Sequence, residues 1–323
     1  MIDETNDISV SISMITYNQE QYVSQALESI LMQNVNFKYE IVIGDDCSPD
    51  NTQEVIQKYA EMYSDIIKPI LRNENLGVLK NLDDTNRHCI GKYIIILEGD
   101  DYWVDANKLQ TQFDFLESNT EYFSVAHWCE VVDENGNLSN EISNKSDIFN
   151  FKKNIYSLKD YQNGSIPGHL NTILFKNIYF ECEYDYAKIF SAHFMVGDRT
   201  LYLILVLLSD MFIINKVMSC YRFVRKKGNT NFCSLMIEKN ECLTYFDYYS
   251  NLEKYVFEVM KKKISLRKLR DQCFIDAIRC TKENPTKENK RIRKTIFNKL
   301  NKFEIIIYCI SLIIKKKKKL RKC

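Results

Sequence analysis

At 323 residues the chain is long enough for one large domain or two, and a composition of 45% hydrophobic and 12% aromatic residues excludes a disordered protein. Nine glycines and four prolines exclude collagen-like and linker-rich architectures, and the eleven cysteines are odd in number and scattered, none in C-x-x-C spacing or clustered with histidine. A zinc site or disulfide scaffold is therefore disfavoured and a reducing cytoplasm fits best. The net charge of +1 hides two opposed regions: residues 1–250 carry 21 Lys/Arg against 36 Asp/Glu, a balance of −15, and residues 251–323 carry 23 against 7, a balance of +16.

The N-terminal "MIDETNDISV" is acidic and lacks the basic-then-apolar order of a signal peptide. "ISVSISMIT" (8–16) reads as a first strand, and "QEQYVSQALESILMQ" (19–33) places Tyr22, Val23, Ala26, Leu27, Ile30 and Leu31 at helical spacing. "EIVIG" (40–44) is a second buried strand, followed by a helix capped by Asp50 or Asn51 with Val55, Ile56 and Tyr59 inward. "IIKPIL" (66–71) is a third strand, "GVLKNLDDTNRHCI" a helix, and "KYIIIL" a fourth strand, short and β-branched. The order β-α-β-α-β-α-β predicts an α/β fold with a mostly parallel sheet covered by helices on both faces. Residues 104–190 are mixed, with hairpins expected around "DENGN" (133–137) and a polar stretch at 139–154. "GDRTLYLILVLLSD" (197–210) is a buried helix, "MFIINKVMSCYRF" (211–223) one or two short strands, and from about 236 the pattern is helical and increasingly basic.

In open sheets of this kind the ligand crevice lies outside the carboxyl ends of the strands. Thr16, Tyr17 and Asn18, then Asp45 and Asp46, then Glu98, Asp100 and Asp101 all fall at such ends. Three acids within four positions repel one another and favour a divalent cation, although a solvated turn capping the next helix accounts for the same residues. Neither G-x-G-x-x-G nor G-x-x-x-x-G-K-[ST] occurs, which excludes the common dinucleotide and P-loop sites.

"SISMITYNQEQYVSQALESILMQ", "EIVIGDDCSPDNT", "RNENLGVLKN" and "GKYIIILEGDDYW", in this order over residues 8–105, resemble the family 2 glycosyltransferases of the GT-A fold, in the subgroup with an E-G-D-D-Y-W signature. "FMVGDRTLYLILVL" and "KVMSCYRF" are similar to that subgroup's acceptor half; residues 236–323 lie outside the resemblance. It implies a GT-A, Rossmann-like domain over 1–235, with a nucleotide half to about 105 and an acceptor half to 235, and a helical basic extension over 236–323. It further implies a nucleotide-sugar donor whose pyrophosphate is held by Mn²⁺ or Mg²⁺, with Asp100 and Asp101 as metal candidates. The family's motif begins with Asp where this chain has Glu98, which is assigned to the ribose or to supporting the ligands.

Thr16, Tyr17, Asn18, Asp45 and Asp46 would line the nucleotide pocket. Tyr17 is equally able to pack on the strand–helix junction, and Asp45 or Asp46 to stabilise the turn before the helix. Arg72 would approach the nucleotide or serve as counter-ion to Asp45, and Arg222 would bring a cation to the diphosphate or lie on the surface. Asp198 in "VGDRT" is the implied catalytic base, partial burial before an apolar helix raising its pKa; the competing role is an N-cap. Of the histidines, His88 reads as a plain helix residue and His169, in "IPGHLNT", as a weak candidate for acceptor contact. Trp103 and Trp128 fit a sugar face or the core.

The chain ends in "FEIIIYCISLIIKKKKKLRKC". Its apolar part, 303–314, falls short of the about 20 residues that span a bilayer, but beside Lys315–Lys319 it fits an anionic membrane surface or a helix docked on the body. The expected protein is an inverting glycosyltransferase of cell-surface polysaccharide synthesis. It would be cytoplasmic, or peripheral on the inner face of the membrane, acting on a glycan or lipid-linked acceptor and binding no nucleic acid. The alternatives are a non-catalytic scaffold with this fold and a sugar nucleotidyltransferase.

Overall fold

The computed structural model describes residues 7–138, 148–181, 184–194, 196–224 and 240–300. Strand β1 (Ile8–Thr16), helix α1 (Val23–Leu31), β2 (Lys38–Asp45), α2 (Thr52–Met62), β3 (Ile67–Leu71), α3 (Val78–Arg87) and β4 (Tyr93–Glu98) alternate as the sequence predicts. Helix α1 is shorter than the predicted 19–33: residues 19–22 form a turn in which the Gln19 carbonyl accepts from the backbone N–H of Tyr22 and Val23. Val23, Ala26, Leu27 and Ile30 bury the helix on the sheet. In α2, Ile56 is buried, whereas Val55 and Tyr59 are only partly so.

β5 (Tyr102–Trp103), α4 (Lys108–Ser118), β6 (Ser124–Val132), β7 (Ile155–Tyr156), α5 (Leu158–Gln162), β8 (Leu174–Lys176), α6 (Ile178–Glu181), α7 (Ala187–Phe190), α8 (Asp198–Leu208) and β9 (Met211–Arg222) complete the sheet and its cover. Nine strands form one sheet in the order β3-β2-β1-β4-β8-β6-β9-β5, with β7 also on β9. The β1–β2, β2–β3 and β1–β4 pairs are parallel; β8 runs antiparallel to both β4 and β6. The first half is thus parallel throughout, and β6 and β9 also pair in parallel, whereas β5, β7 and β8 pair antiparallel. Beyond β4 the chain joins the sheet without a regular helical crossover for each strand, and parallel pairing requires one. The 133–137 turn is present, closed by Asp133 N–H donating to the Asn137 carbonyl, while 139–147 lie outside the described residues.

β9 is a single twelve-residue strand, where the sequence suggests one or two short strands. Exposed Asn215 and Lys216 read as a break, but they sit where the register on β6 slips, opposite His127 and Trp128. A bulge keeps the strand continuous through a polar interruption. Helices α9 (Cys242–Met260), α10 (Arg267–Glu283) and α11 (Lys287–Lys299) carry the basic region. One apolar cluster joins Phe246, Leu252, Leu266, Phe274 and Ile296 of this region to Leu203 and Ile204 of α8 and Ile94 of β4, so these helices share the body's core. The boundary expected at 235 and the tail from 301 both fall outside the described residues.

Lys108, the first residue of α4, is fully buried. Its Nζ donates to Gln112 Oε1 at 2.8 Å and lies 4.1 Å from the centre of the Trp103 ring. Burial pulls this ammonium well below the usual lysine range, with the nearby Asp105 opposing only in part. The unfolded chain therefore holds a proton on Lys108 more tightly than the folded chain does, and stability rises with pH towards the unfolded value of about 10.4. Lys108→Met should abolish this slope, worth up to about 1.4 kcal/mol per pH unit. Urea unfolding of both proteins from neutral pH to pH about 9 measures it; equal slopes would contradict the assignment.

Candidate active site

The register places the acidic strand ends side by side. Thr16 pairs with Asp45 and Ile15 with Glu98, so β2 and β4 deliver their carboxylates to the same edge, one on each side of β1. Asp45 and Asp46 are buried, at 0% and 3% exposure. Asp45 accepts from Thr16 Oγ1 (2.8 Å), the backbone N–H and hydroxyl of Ser48 (2.9 and 2.5 Å) and Gln53 Nε2 (2.7 Å). Asp46 accepts from the backbone N–H of Leu76 (2.7 Å) and Gly77 (2.9 Å), and its carbonyl accepts from Asn75 Nδ2. These two carboxylates fold the 46–53 and 72–77 loops over the rim. Above them lie the Tyr17 ring, 37% exposed, and Asn18, which takes a left-handed φ of 58° while its N–H donates to Ser48 Oγ.

Arg72 does not meet the Asp45 carboxylate. Its Nε donates to Asn81 Oδ1 (2.9 Å) and its Nη2 to Asp84 (2.7 Å), while its backbone N–H donates to the Asp45 carbonyl. The guanidinium fastens the loop to α3. The counter-ion is Asp84, one turn along α3 from Asn81, a pairing that only the folded helix creates.

At the end of β4, Gly99 is required by close approach: a Cβ there would lie 2.5 Å from Gln19 Oε1 and 2.6 Å from Thr16 Cγ2. Asp101 turns inward. Its carboxylate accepts from Asn171 Nδ2 (2.8 Å) and the Arg222 backbone N–H (2.9 Å), and lies 3.3 Å from His169 Nδ1. His169 Nε2 is 4.0 Å from Glu98 Oε2. The imidazole stacks on Tyr221 at 3.9 Å and takes the edge of Phe149 at 5.3 Å, which fixes its plane.

Arg222 is 3% exposed, not a surface residue. Its Nε donates to the Asp100 carbonyl, Nη1 to the carbonyls of Asp133 and Glu134, and Nη2 to Gln25 Oε1, with the rings of Tyr22 and Tyr102 beside it. It ties α1, the Asp100–Asp101 turn and the 133–137 turn together.

Glu98, Asp101 and His169 each offer a ligand atom within 4.8 Å of the other two. Asp101 belongs to the metal pair expected from sequence, and Glu98 and His169 are grouped with it. The set fits a dication. His169 Nδ1 is buried and makes no hydrogen bond, although it faces the Asp101 carboxylate. Burial, followed by the charges of Asp101 and Glu98, pushes the Asp100 carboxyl well above its usual range. Glu98 is pushed up to about 7 by burial and by Asp101 and Asp198, against the opposing pull of His169. Burial alone would lower the His169 imidazole, but Asp101, then Glu98 and Asp198, outweigh it and raise its proton affinity. Protons therefore cling to a site that is rich in negative charge and poor in cations, the situation that a bound metal ion relieves. Two carboxylates and one imidazole suit Mn²⁺ better than the all-oxygen preference of Mg²⁺.

Asp198 is the first residue of α8 and is exposed, not partly buried as the apolar helix suggested. The buried part of the helix begins at Thr200. The charge of Asp198 nonetheless contributes to raising the proton affinity of Glu98 and His169. Trp103 is core at 1% exposure; Trp128 donates from its indole N–H to the Phe151 carbonyl.

An acid-rich crevice at the carboxyl edge of a half-parallel sheet is the architecture of nucleotide-sugar-dependent transferases of the GT-A type. The model of the glycosyl transferase family 2 matches residues 11–180, and the chain belongs to that family. The curated relatives are matched over only 30–52% of their own lengths. TuaG of Bacillus subtilis, named as a glycosyltransferase of teichuronic acid biosynthesis, is 30% identical over 115 residues, 36% of this chain and 44% of TuaG. In fold, the chain is similar to TarS of S. aureus in complex with UDP-GlcNAc, with a TM-score of 0.62 at 14% identity, covering 90% of this chain and 79% of that one. It is also similar to the mannosyltransferase PcManGT of Pyrobaculum calidifontis, in complex with GDP-Man and Mn²⁺, with a TM-score of 0.53 at 14% identity over 96% and 87% of the two chains.

Arg222→Met should leave three backbone carbonyls and the Gln25 amide oxygen without their donor and lower stability by about 3 kcal/mol. Denaturant titration measures the loss, and a change below about 0.5 kcal/mol, the range of an ordinary surface substitution, would refute the clasp.

Proposed function

We propose that the protein transfers a sugar, with inversion at the anomeric carbon, from a nucleoside-diphosphate donor to a glycan or lipid-linked acceptor in cell-surface polysaccharide synthesis. The observation that carries this reading is the meeting of Glu98, Asp101 and His169 at the rim that Thr16, Asp45 and Asp46 also reach. Family membership supports the reaction class, the nucleotide-sugar complexes of TarS and PcManGT the donor class, and the likeness to TuaG the polysaccharide setting.

In this reading Glu98, Asp101 and His169 hold a dication, Mn²⁺ in preference to Mg²⁺, with Asp100 beside them. When bound, it supplies charge neutralisation for the departing diphosphate. Tyr17 and Asn18 border the nucleotide on loops held by Asp45 and Asp46, whose carboxylates act through the backbone they grip. Arg72 and Arg222 preorganise the same rim, since every guanidinium contact named above is to protein. Asp198, exposed and close enough to influence the cluster, takes the proton of the acceptor hydroxyl. The hydroxyl oxygen bonds to the anomeric carbon, and the donor's C–O bond breaks with its electrons leaving on the diphosphate. The domain division follows: residues 1–105 serve the donor and 106–235 the acceptor, with the basic helices beyond.

The test is product release from a panel of sugar nucleotides with Mn²⁺ or chelator. The wild type should release nucleoside diphosphate with Mn²⁺ only. Asp198→Asn should lose kcat by about a hundredfold or more with donor Kd unchanged, and Asp101→Asn should lose both Mn²⁺ response and donor binding. Pyrophosphate release would reassign the protein to nucleotidyl transfer, no turnover with any donor would favour a scaffold, and full kcat in Asp198→Asn would remove the base.

A further inference from the structure

Helices α10 and α11 leave between them a groove of about 550 Å³, lined by Phe274, Ile278, Lys290, Arg293, Lys294 and Phe297. On α11 the last four follow i, i+3, i+4, i+7 and form one face, distinct from that of the buried Asn289, Ile292 and Ile296. Phe297 is 44% exposed, with its ring 6.0 Å from that of Phe274. Some cations of this region are paired, among them Lys299 with Asp247 and Arg279 with Asp276. Among the described residues, Lys290, Arg293 and Lys294 have no carboxylate within ion-pair distance. Three unpaired cations therefore border an apolar floor with an exposed aromatic at one end.

We propose that this groove is a docking surface for an anionic lipid bilayer. Headgroup phosphates meet Lys290, Arg293 and Lys294, and Phe297 enters the boundary between headgroups and acyl chains. Charge complementarity selects this occupant: residues 251–323 carry a balance of +16. A second copy seated on the same face would bring like charges together, and a single-stranded nucleic acid would call for a run of stacking aromatics along a basic track. None of these residues belongs to the sheet rim, so the inference does not depend on the proposed reaction.

The test uses the full chain and sedimentation with vesicles of phosphatidylcholine, alone or mixed with phosphatidylglycerol. The wild type should bind only the mixed vesicles, more weakly as salt rises. A variant combining Lys290→Gln, Arg293→Gln and Lys294→Gln should lose roughly a hundredfold in affinity, and Phe297→Gln severalfold. Both should keep the wild-type circular dichroism spectrum and release of nucleoside diphosphate in solution. Replacing Lys315–Lys319 with Gln, with the groove intact, should leave binding that still responds to the triple substitution. Wild-type binding by the groove variants, equal binding to neutral vesicles, no vesicle binding at all, or self-association that Phe297→Gln abolishes would each overturn the proposal.

Discussion

Strand β4 carries Glu98, Asp100 and Asp101 out of a dry core within four residues, and the remainder of the rim is arranged around the repulsion this creates. Asp101 is buried and Glu98 and Asp100 are only partly exposed, so the protein meets them with what other segments can bring. Asn171 and the backbone N–H of Arg222 reach Asp101, the Arg222 guanidinium holds the Asp100 carbonyl, and His169 stands between Glu98 and Asp101. The compensation is incomplete, as the upward displacement of the Glu98 and Asp100 carboxyls records. A site that retains excess negative charge after folding is preorganised for a cation.

The other acids at this edge have a different task. Asp45 and Asp46 are consumed by hydrogen bonds to two loops, and their burial is tolerated because several donors satisfy each carboxylate. The strand ends flanking β1 thus divide the labour: the end of β2 uses carboxylates to build the walls of the crevice, and the end of β4 uses them to hold charge within it. Residue type and position at a strand end do not separate these roles; the count of donors already satisfied does.

The parallel half of the fold was legible because its signals are local. Each buried β-branched run is followed by a helix with its own apolar stripe, and the strand ends announced the crevice. His169 was not legible as a member of the cluster. It lies about seventy residues beyond Glu98, and what places it is β8 returning antiparallel beside β4 after the Leu170–Thr172 turn. Its local mark is Gly168, where a Cβ would lie 2.5 Å from Thr172 Oγ1 and 3.0 Å from the His127 carbonyl oxygen, so the chain packs too closely for a side chain. Arg222 and Lys108 were opaque for a related reason: a charged residue reads as solvated until the fold shows the carbonyls or the indole it was kept for.

The central claim is that separate loops converge on one cation-binding rim, with His169 as a partner of Glu98 and Asp101. Anomalous scattering at the manganese edge, from crystals grown with Mn²⁺ and a nucleoside diphosphate, tests it most directly. The account predicts one strong peak bounded by Glu98, Asp101 and His169, with the diphosphate between it and the loops held by Asp45 and Asp46. A peak away from these three side chains, or a nucleotide bound at the opposite edge of the sheet, would contradict it.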